Sequence, residues 1–242
     1  MKRNLSLALL LVVASGWYAC QRLQAPSPPQ QPTAGAPPLQ TVSLPSQPVI
    51  GVSGSRLIHS STAQSGTTAA GQIFTPPPGA HTLLKLGFRF HQFNNDGYQP
   101  EISYQIMLAE WQVDRPSPVE IWASPAQTLP SISETFKYSW QEFDVPRIKL
   151  SAGKQYIAWV TLSDLGNPPG ISIGIPDMGP RYRTSPATDP NAVPIHTYAE
   201  GRAAFFREAN PDGSRTKMTD FAWEEQKPGD NLFFRMLFER AP

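Results

Sequence analysis

The chain has 242 residues, a formal net charge of +1, and 27 prolines. This length allows one large domain or two small ones, and the proline content argues against long helices. The near-neutral charge gives no electrostatic reason to expect a nucleic acid as partner. Cys20 is the single cysteine, so an intrachain disulfide and a thiolate metal cluster are both excluded.

Residues 1–20 have the features of an export signal. A basic start precedes the apolar run 7–13, which is too short to span a bilayer by itself. Ala19 supplies the small residue that precedes the lipidated cysteine of a bacterial lipoprotein, although the two aromatic residues before it depart from that pattern. We predict an exported protein anchored in a membrane through lipidated Cys20, on the periplasmic or outer surface. Ordinary secretion and an uncleaved anchor are the alternatives.

Residues 21–48 are rich in proline, glutamine, alanine and serine, and Arg22 is their only charged residue. Such a composition cannot bury enough apolar surface to offset the entropy lost on ordering. We therefore predict a disordered, Pro/Gln-rich linker. A linker directly after a lipidation site would hold a folded domain, residues 49–242, away from the membrane.

The domain at 49–242 consists of short segments of alternating hydrophobicity, separated by turn residues. No amphipathic pattern exceeds two helical turns. This arrangement predicts an antiparallel β-sandwich. The predicted strands are 71–76, 82–90, 101–111, 119–123, 138–145, 155–164, 171–175 and 231–240, and an aromatic segment lies at 197–209.

The segment 155–164 is the best candidate for the middle of a sheet, because both of its faces are apolar. A proline at position 146 and a tight turn at 151–154 separate it from the preceding strand. Its two predicted faces are Tyr156, Ala158, Val160 and Leu162 on one side, and Ile157, Trp159 and Thr161 on the other.

Seven segments between residues 71 and 240 carry a resemblance to a known type of domain. They read GQIFTP, TLLKLGFRF, ISYQIMLAEW, PVEIWAS, WQEFDVPRIKLSAGKQYIAWVTLSD, YAEGRAAFFREANPDGS and DNLFFRMLFE. Their order resembles a jelly-roll-like β-sandwich of exported bacterial proteins, often found beside PEP-CTERM or other surface-sorting signals. The resemblance implies an accessory surface or adhesion module, similar in architecture to carbohydrate-binding modules, with no catalytic residues to carry over. The sequence lacks a C-terminal sorting helix, so we expect the anchor at the N-terminus.

Catalytic and metal motifs are sparse. The four histidines form no HxxxH or HExxH pair, and there is no GxSxG elbow, phosphate loop or dinucleotide fingerprint. A Ser-His-Asp triad stays open, because its members need not be close in sequence. Carboxylates on predicted strands could form the pair of a glycan hydrolase, but strand carboxylates usually face solvent. These carboxylates are Glu101, Glu110, Glu120, Glu142 and Asp144.

The turn 94–97, Asn-Asn-Asp-Gly, offers oxygen ligands for a cation. Jelly-roll modules often hold one structural calcium at such a place, which makes Asn94 and Asp96 the calcium candidates. A plain hairpin turn explains the same residues, because Asn and Asp tolerate left-handed backbone angles. We predict no cofactor besides this calcium.

Six tryptophans divide by their surroundings, and Trp223 is the one that points to a ligand. It lies in the polar stretch 219–230 beside Glu224, where its ring could stack on a sugar while the carboxylate binds hydroxyl groups. Tyr182 and Arg183 offer similar chemistry in a long loop. The alternative is that Trp223 caps one end of the sandwich. The tryptophans on predicted strands are expected in the core: Trp111, Trp122, Trp140 and Trp159.

We therefore predict a non-catalytic β-sandwich with a binding or structural role at the cell envelope, and glycan binding as its specific form. Two alternatives remain. A glycan-active enzyme would require acidic residues clustered in one cleft beside exposed aromatic rings. A protein-interaction module, with an envelope protein as partner, would require an exposed apolar sheet face larger than a few hundred Å².

Overall fold

The computed structural model describes nine stretches of the chain: residues 40–45, 52–60, 67–93, 100–133, 136–178, 181–182, 194–195, 198–207 and 218–240. The predicted export signal with Cys20, the calcium candidates Asn94 and Asp96, and Arg183 lie outside them. The described residues include no helix, and hence none of the length and hydropathy needed to span a membrane.

The described part of the chain forms fifteen strands. In order they are β1 (Thr41–Leu44), β2 (Val52–His59), β3 (Ala69–Phe74), β4 (Thr82–Phe93), β5 (Ile102–Gln112), β6 (Arg115–Ala123), β7 (Gln127–Leu129), β8 (Phe136–Lys149), β9 (Tyr156–Thr161), β10 (Ser172–Met178), β11 (Arg181–Tyr182), β12 (Pro194–Ile195), β13 (Arg202–Phe206), β14 (Glu224–Glu225) and β15 (Phe234–Glu239).

Two antiparallel sheets pack together, which confirms the predicted β-sandwich. Sheet A has the order β1-β15-β4-β10-β2, and β8 pairs with the remaining edge of β4. Sheet B has the order β14-β13-β3-β9-β5-β6, and β7 pairs with the first residues of β5. Strands β11 and β12 form a separate two-stranded ribbon.

The main core lies between the two sheets and is built from alternate residues of their strands. All six residues of β9 are buried, as its two apolar faces predict. The alternate residues of β5 also face this core: Ile102, Tyr104, Ile106 and Leu108. Each fully buried Leu, Ile or Phe side chain stabilises the fold by roughly 1.5–3 kcal/mol. The inward side chains of β4 and β15 in sheet A are Leu83, Leu86, Phe88, Phe90, Phe234, Met236 and Phe238.

The pairing of β4 with β8 departs from the simple alternation that the sequence suggests. Strict alternation with Leu86, Phe88 and Phe90 would place Leu84 on the core face, but Leu83 is fully buried and Leu84 only partly so. The reason is a shift in register between Leu83 and Lys85. Pro146 lies in the same irregularity and does not end the strand, because a bulge on an edge strand tolerates a missing N–H.

The sandwich begins earlier in the chain than position 49. Strand β1 pairs with Met236–Glu239 of β15, inside the stretch 21–48 assigned to the linker. Leu44 is buried and Val42 packs against the same core. Two apolar residues at alternate positions are therefore enough to add an edge strand at this point.

Candidate functional site

The outer face of sheet B is covered by a second, smaller hydrophobic cluster. Residues 218–223 lie over this face, and the Trp223 N–H donates to the Asp114 carbonyl oxygen at 2.8 Å. The cluster is apolar throughout. Its buried members are Ala69, Ile73, Met107, Ala109, Trp111, Ile157, Trp159, Ala204, Phe206 and Trp223.

Trp223 is part of this cluster, and this corrects its interpretation as a sugar-stacking residue. Its side chain is only 5% exposed. Its ring centre lies 5.5 Å from that of Phe206, 6.0 Å from Trp159 and 6.4 Å from Trp111. The indole Nε1 donates to the Met218 carbonyl oxygen at 2.7 Å. With its ring packed on all of these partners, Trp223 has no face left for a sugar.

The other predicted ligand residues do not gather around Trp223. Glu224 is exposed and forms an ion pair with Arg207 at 3.0 Å. Tyr182 belongs to β11, in the separate ribbon, and its side chain lies outside the described part of the chain. Among the described residues, the predicted ligand residues are therefore not brought together into one site.

The outer face of sheet A, by contrast, carries charged and aromatic side chains. On β4 the residues that point away from the core are Lys85, Gly87, Arg89 and His91. Register places each of them opposite an outward residue of β8: Lys85 opposite Asp144, Gly87 opposite Glu142, Arg89 opposite Trp140, and His91 opposite Tyr138. On the other side of β4, Arg235 of β15 pairs with Gly87. Three strands thus contribute to one surface.

These residues line a cleft of about 550 Å³, the outer-face cleft. Gly87 forms part of the floor of the cleft. It has no side chain to fill the space between its two register partners, Arg235 on β15 and Glu142 on β8. The lining residues are Ser43, Leu44, Pro45, Lys85, Leu86, Gly87, Arg89, Trp140, Glu142, Phe233, Arg235, Met236 and Leu237.

Arg89 is held between two aromatic rings. Its guanidinium carbon lies 4.6 Å from the ring centre of Tyr138 and 5.3 Å from that of Phe233. Such cation–π contacts contribute about 0.5–2 kcal/mol each, depending on solvation. Within the described part of the chain, no carboxylate or carbonyl oxygen accepts a hydrogen bond from this guanidinium, and it has no ion-pair partner there.

The two other cations of the cleft are already paired. Arg235 lies over the Trp140 ring at 4.0 Å and donates from Nη1 to Oε1 of Glu142 at 3.1 Å. The Lys85 amine lies 3.0 Å from Oδ1 of Asp144. Its hydrogen bond to this carboxylate raises the pKa of Lys85. Arg89 is therefore the cation at the cleft whose charge no described carboxylate balances.

His91 extends the same surface beyond the cleft. Its ring stacks on Tyr138 with 4.1 Å between ring centres, and its Nδ1 lies 3.0 Å from the hydroxyl oxygen of Ser55. Burial, and secondarily the positive charge of Arg89, lower the pKa of His91 below its ordinary value of 6.5. His91 therefore favours the neutral form more strongly than an exposed histidine does.

A second cavity of about 220 Å³ has polar walls whose groups are already engaged. Arg56 lies 3.4 Å from the Asp177 carboxylate, and burial raises the pKa of Asp177. The amide of Asn231 accepts from Gln72 at 2.7 Å and donates to two backbone carbonyl oxygens. These bonds serve the fold, and this cavity offers a ligand fewer free donors than the outer-face cleft does.

Of the strand carboxylates considered as a hydrolase pair, only Glu142 and Asp144 are neighbours, on the outward face of β8. Glu101 and Glu120 are exposed. Among the described residues that line the outer-face cleft, Glu142 alone is a carboxylate. In the same part of the chain, no three His, Cys, Asp or Glu side chains are grouped to hold a metal ion. The other three carboxylates are ion-paired: Glu110 with Lys154, Glu142 with Arg235, and Asp144 with Lys85.

Sequence reasoning missed the outer-face cleft because it assigned Trp140 to the core. Trp111 and Trp159 are buried as predicted, whereas Trp122 and Trp140 are only partly buried and pack at the edge of the core. The usable signal was the polar face of β4, on which Lys85 and Arg89 alternate with apolar residues. No protein-family model matches the sequence, and no curated protein matches it either.

Proposed function

We propose that this chain is a non-catalytic glycan-binding module of the bacterial cell envelope, exported and held there by a lipid on Cys20. Its binding site is the outer-face cleft. The observation that carries the proposal is the combination, in one cleft of about 550 Å³, of aromatic walls and the Arg89 guanidinium, which has no hydrogen-bond or ion-pair partner among the described residues. Sugar recognition requires both aromatic walls and hydrogen-bond donors, because a saccharide has apolar C–H faces and a rim of hydroxyl groups.

The cleft supplies each kind of contact. Trp140 and Phe233 form apolar walls, and Arg89 presents N–H donors beside them. Strand β8 pairs with one neighbour only among the described strands, so the surface continues to the edge of sheet A. On such a strand, alternate side chains follow one another at about 7 Å, which suits an extended ligand better than a small enclosed one.

A binding role is favoured over hydrolysis by the carboxylates of the cleft. Glycoside hydrolysis ordinarily uses two carboxyl groups that flank the scissile bond. Glu142 is the carboxylate that lines the cleft, and it is bonded to Arg235; its neighbour Asp144 on the same face of β8 is paired with Lys85, so both carboxylates are already engaged. This arrangement supports the alternative of a glycan-active enzyme less well than it supports a binding module.

The test is binding of the full chain to an array of neutral and acidic glycans, with Trp140→Ala in parallel. We expect the variant to lose binding, because the cleft loses its indole wall. Trp122→Ala is the matched control, since Trp122 is also a partly buried tryptophan that packs against the core but does not line the cleft. If the unmodified chain binds no glycan, the proposal is wrong and a protein partner becomes the better hypothesis.

A further inference from the structure

We infer that the glycan bound in the outer-face cleft carries carboxylate groups, as uronic acids do, and that Arg89 binds them. This inference rests on the proposed function and narrows its ligand to one chemical class. The inference is based on the balance of charge among the residues of the cleft and not on the shape of the cleft.

Among the described residues, every charge of the cleft has a partner of opposite charge except that of Arg89. Three cations line the cleft, Lys85, Arg89 and Arg235, against one carboxylate, Glu142. The charge of Lys85 is balanced by Asp144, which does not itself line the cleft, and the charge of Arg235 is balanced by Glu142. A ligand carboxylate beside Arg89 would complete the pattern that the protein has built around the other two.

The position of Arg89 also makes it suitable for this contact. It is partly buried between Tyr138 and Phe233, so its side chain is already ordered before a ligand arrives. Binding therefore costs less side-chain entropy than it would at a mobile surface arginine. A guanidinium also matches a carboxylate in geometry, because two parallel N–H donors can face its two oxygens.

A partly buried guanidinium without an acceptor is unfavourable in the free protein. The donors have lost part of their water and have gained only ring faces, which do not replace hydrogen bonds. A carboxylate would restore them. A neutral sugar hydroxyl restores them less well, because it lacks the opposite charge of a carboxylate and cannot accept two parallel N–H bonds from the guanidinium.

The test compares oligogalacturonate with its carboxyl-reduced, neutral counterpart, and repeats the pair with oligomannuronate. Dissociation constants of the full chain are measured by titration calorimetry. We expect at least one acidic oligosaccharide to bind roughly tenfold or more tightly than its neutral counterpart. Raising NaCl from about 0.05 to about 0.5 M should weaken that binding, because the interaction is charge-assisted.

Arg89→Met locates the effect, because methionine keeps an apolar stem between the two rings and removes the charge. We expect roughly a ten- to hundredfold loss of affinity for the acidic oligosaccharide. Arg207→Met is the matched control, since it removes the same charge from an exposed position directly after β13, away from the cleft. Should Arg89→Met fail to fold, Arg89→Lys replaces it, and we expect a smaller loss because a lysine cannot make the parallel pair of bonds.

The outcomes separate this inference from the proposed function. Equal affinity for the acidic and neutral forms, or binding only to neutral glycans, would overturn the inference and leave the glycan-binding function in place. Equal losses in Arg89→Met and Arg207→Met would also overturn it, because the effect would then be one of net charge. A chain that binds no acidic or neutral glycan at all would overturn both.

Discussion

The two sheets of the sandwich differ in what covers their outer faces. On sheet B the chain itself supplies the cover, and Trp223 packs there against Trp111, Trp159 and Phe206. On sheet A no described segment lies over the outer-face cleft, and its aromatic rings contact cations as well as one another. The rings at Trp140 and Tyr138 lie against Arg235 and Arg89, respectively.

This difference shows that the partner of an aromatic ring, more than its neighbours in sequence, decides its role. Trp223 is followed in the sequence by Glu224 and Glu225, which suggests an exposed binding residue, yet its ring is buried. Trp140 lies on a strand, which suggests the core, yet it lines a cleft. An aromatic ring that packs on other rings stabilises the fold. One that packs on a cation at an open surface can also contact a ligand.

The largest effect that separates the two faces is expected from Trp223→Ala. The substitution removes a nearly fully buried indole and leaves Trp111, Trp159 and Phe206 around a cavity. Large-to-small substitutions of this kind cost about 3–5 kcal/mol. We expect a loss of this size in the free energy of unfolding, measured by urea denaturation.

Trp140→Ala provides the comparison, because its partly exposed ring has less contact to lose. We expect it to cost less than half as much stability as Trp223→Ala, while it abolishes glycan binding. If both variants lose the same stability, or if Trp223→Ala unfolds at the same urea concentration as the unmodified chain, the distinction between the covered and the open face is wrong.

Gly87→Ala should give an intermediate effect on the open face. A Cβ at this position would lie 2.6 Å from the Gln141 carbonyl oxygen and 2.7 Å from Cγ of Glu142. Strand β8 would have to shift, because the nearest atom belongs to the backbone. We expect the free energy of unfolding to fall by about 1–3 kcal/mol, measured by thermal or urea denaturation.

Gly71→Ala makes the same change on the covered face and so sharpens the comparison. There a Cβ would lie 2.8 Å from side-chain atoms of Ile157 and Trp159. A destabilisation in both variants, with loss of glycan affinity only in Gly87→Ala, is expected if the cleft is the binding site. A fully stable Gly87→Ala would mean that β8 can move without cost.

The sandwich itself could be predicted, because alternation along one strand directly encodes which residues face the core. The inward faces of β5, β9 and β15 follow this rule residue by residue. Strand β4 departs from it at Leu84, where the register shift opposite Pro146 changes which side chain is buried. A bulge of this kind depends on the partner strand and cannot be found from the alternation of β4 alone.

The cleft could not be predicted, because its residues come from strands that are distant in sequence. Gly87, Glu142 and Arg235 form one row only when β8 and β15 take their registers on the two edges of β4. The burial of Trp223 has a similar cause, since residues 218–223 are held over sheet B by contacts to Asp114 in the turn between β5 and β6 and to Arg115 at the start of β6. One such contact is the hydrogen bond from Arg115 Nη1 to the Asp220 carbonyl oxygen at 2.8 Å.

The smallest expected difference between the faces is in how the free energy of unfolding depends on pH. It comes from His91 on the open face. Its pKa is lowered in the folded protein below the ordinary value of 6.5 that it regains on unfolding. Between these two pKa values the unfolded chain binds more protons than the folded one. The stability associated with neutral His91 is therefore complete above pH 6.5 and is lost as the pH falls through this window.

The measurement is the free energy of unfolding from about pH 7.5 to about pH 5, for the unmodified chain and for His91→Gln. Asp177, whose raised pKa acts in the opposite direction, is present in both proteins and cancels in their difference. We expect the difference to narrow as the pH falls, because only the unmodified chain loses the contribution of His91. A difference that stays constant would mean that Tyr138 and Arg89 leave the titration of His91 unchanged, and that the open face contributes nothing to the pH dependence of folding.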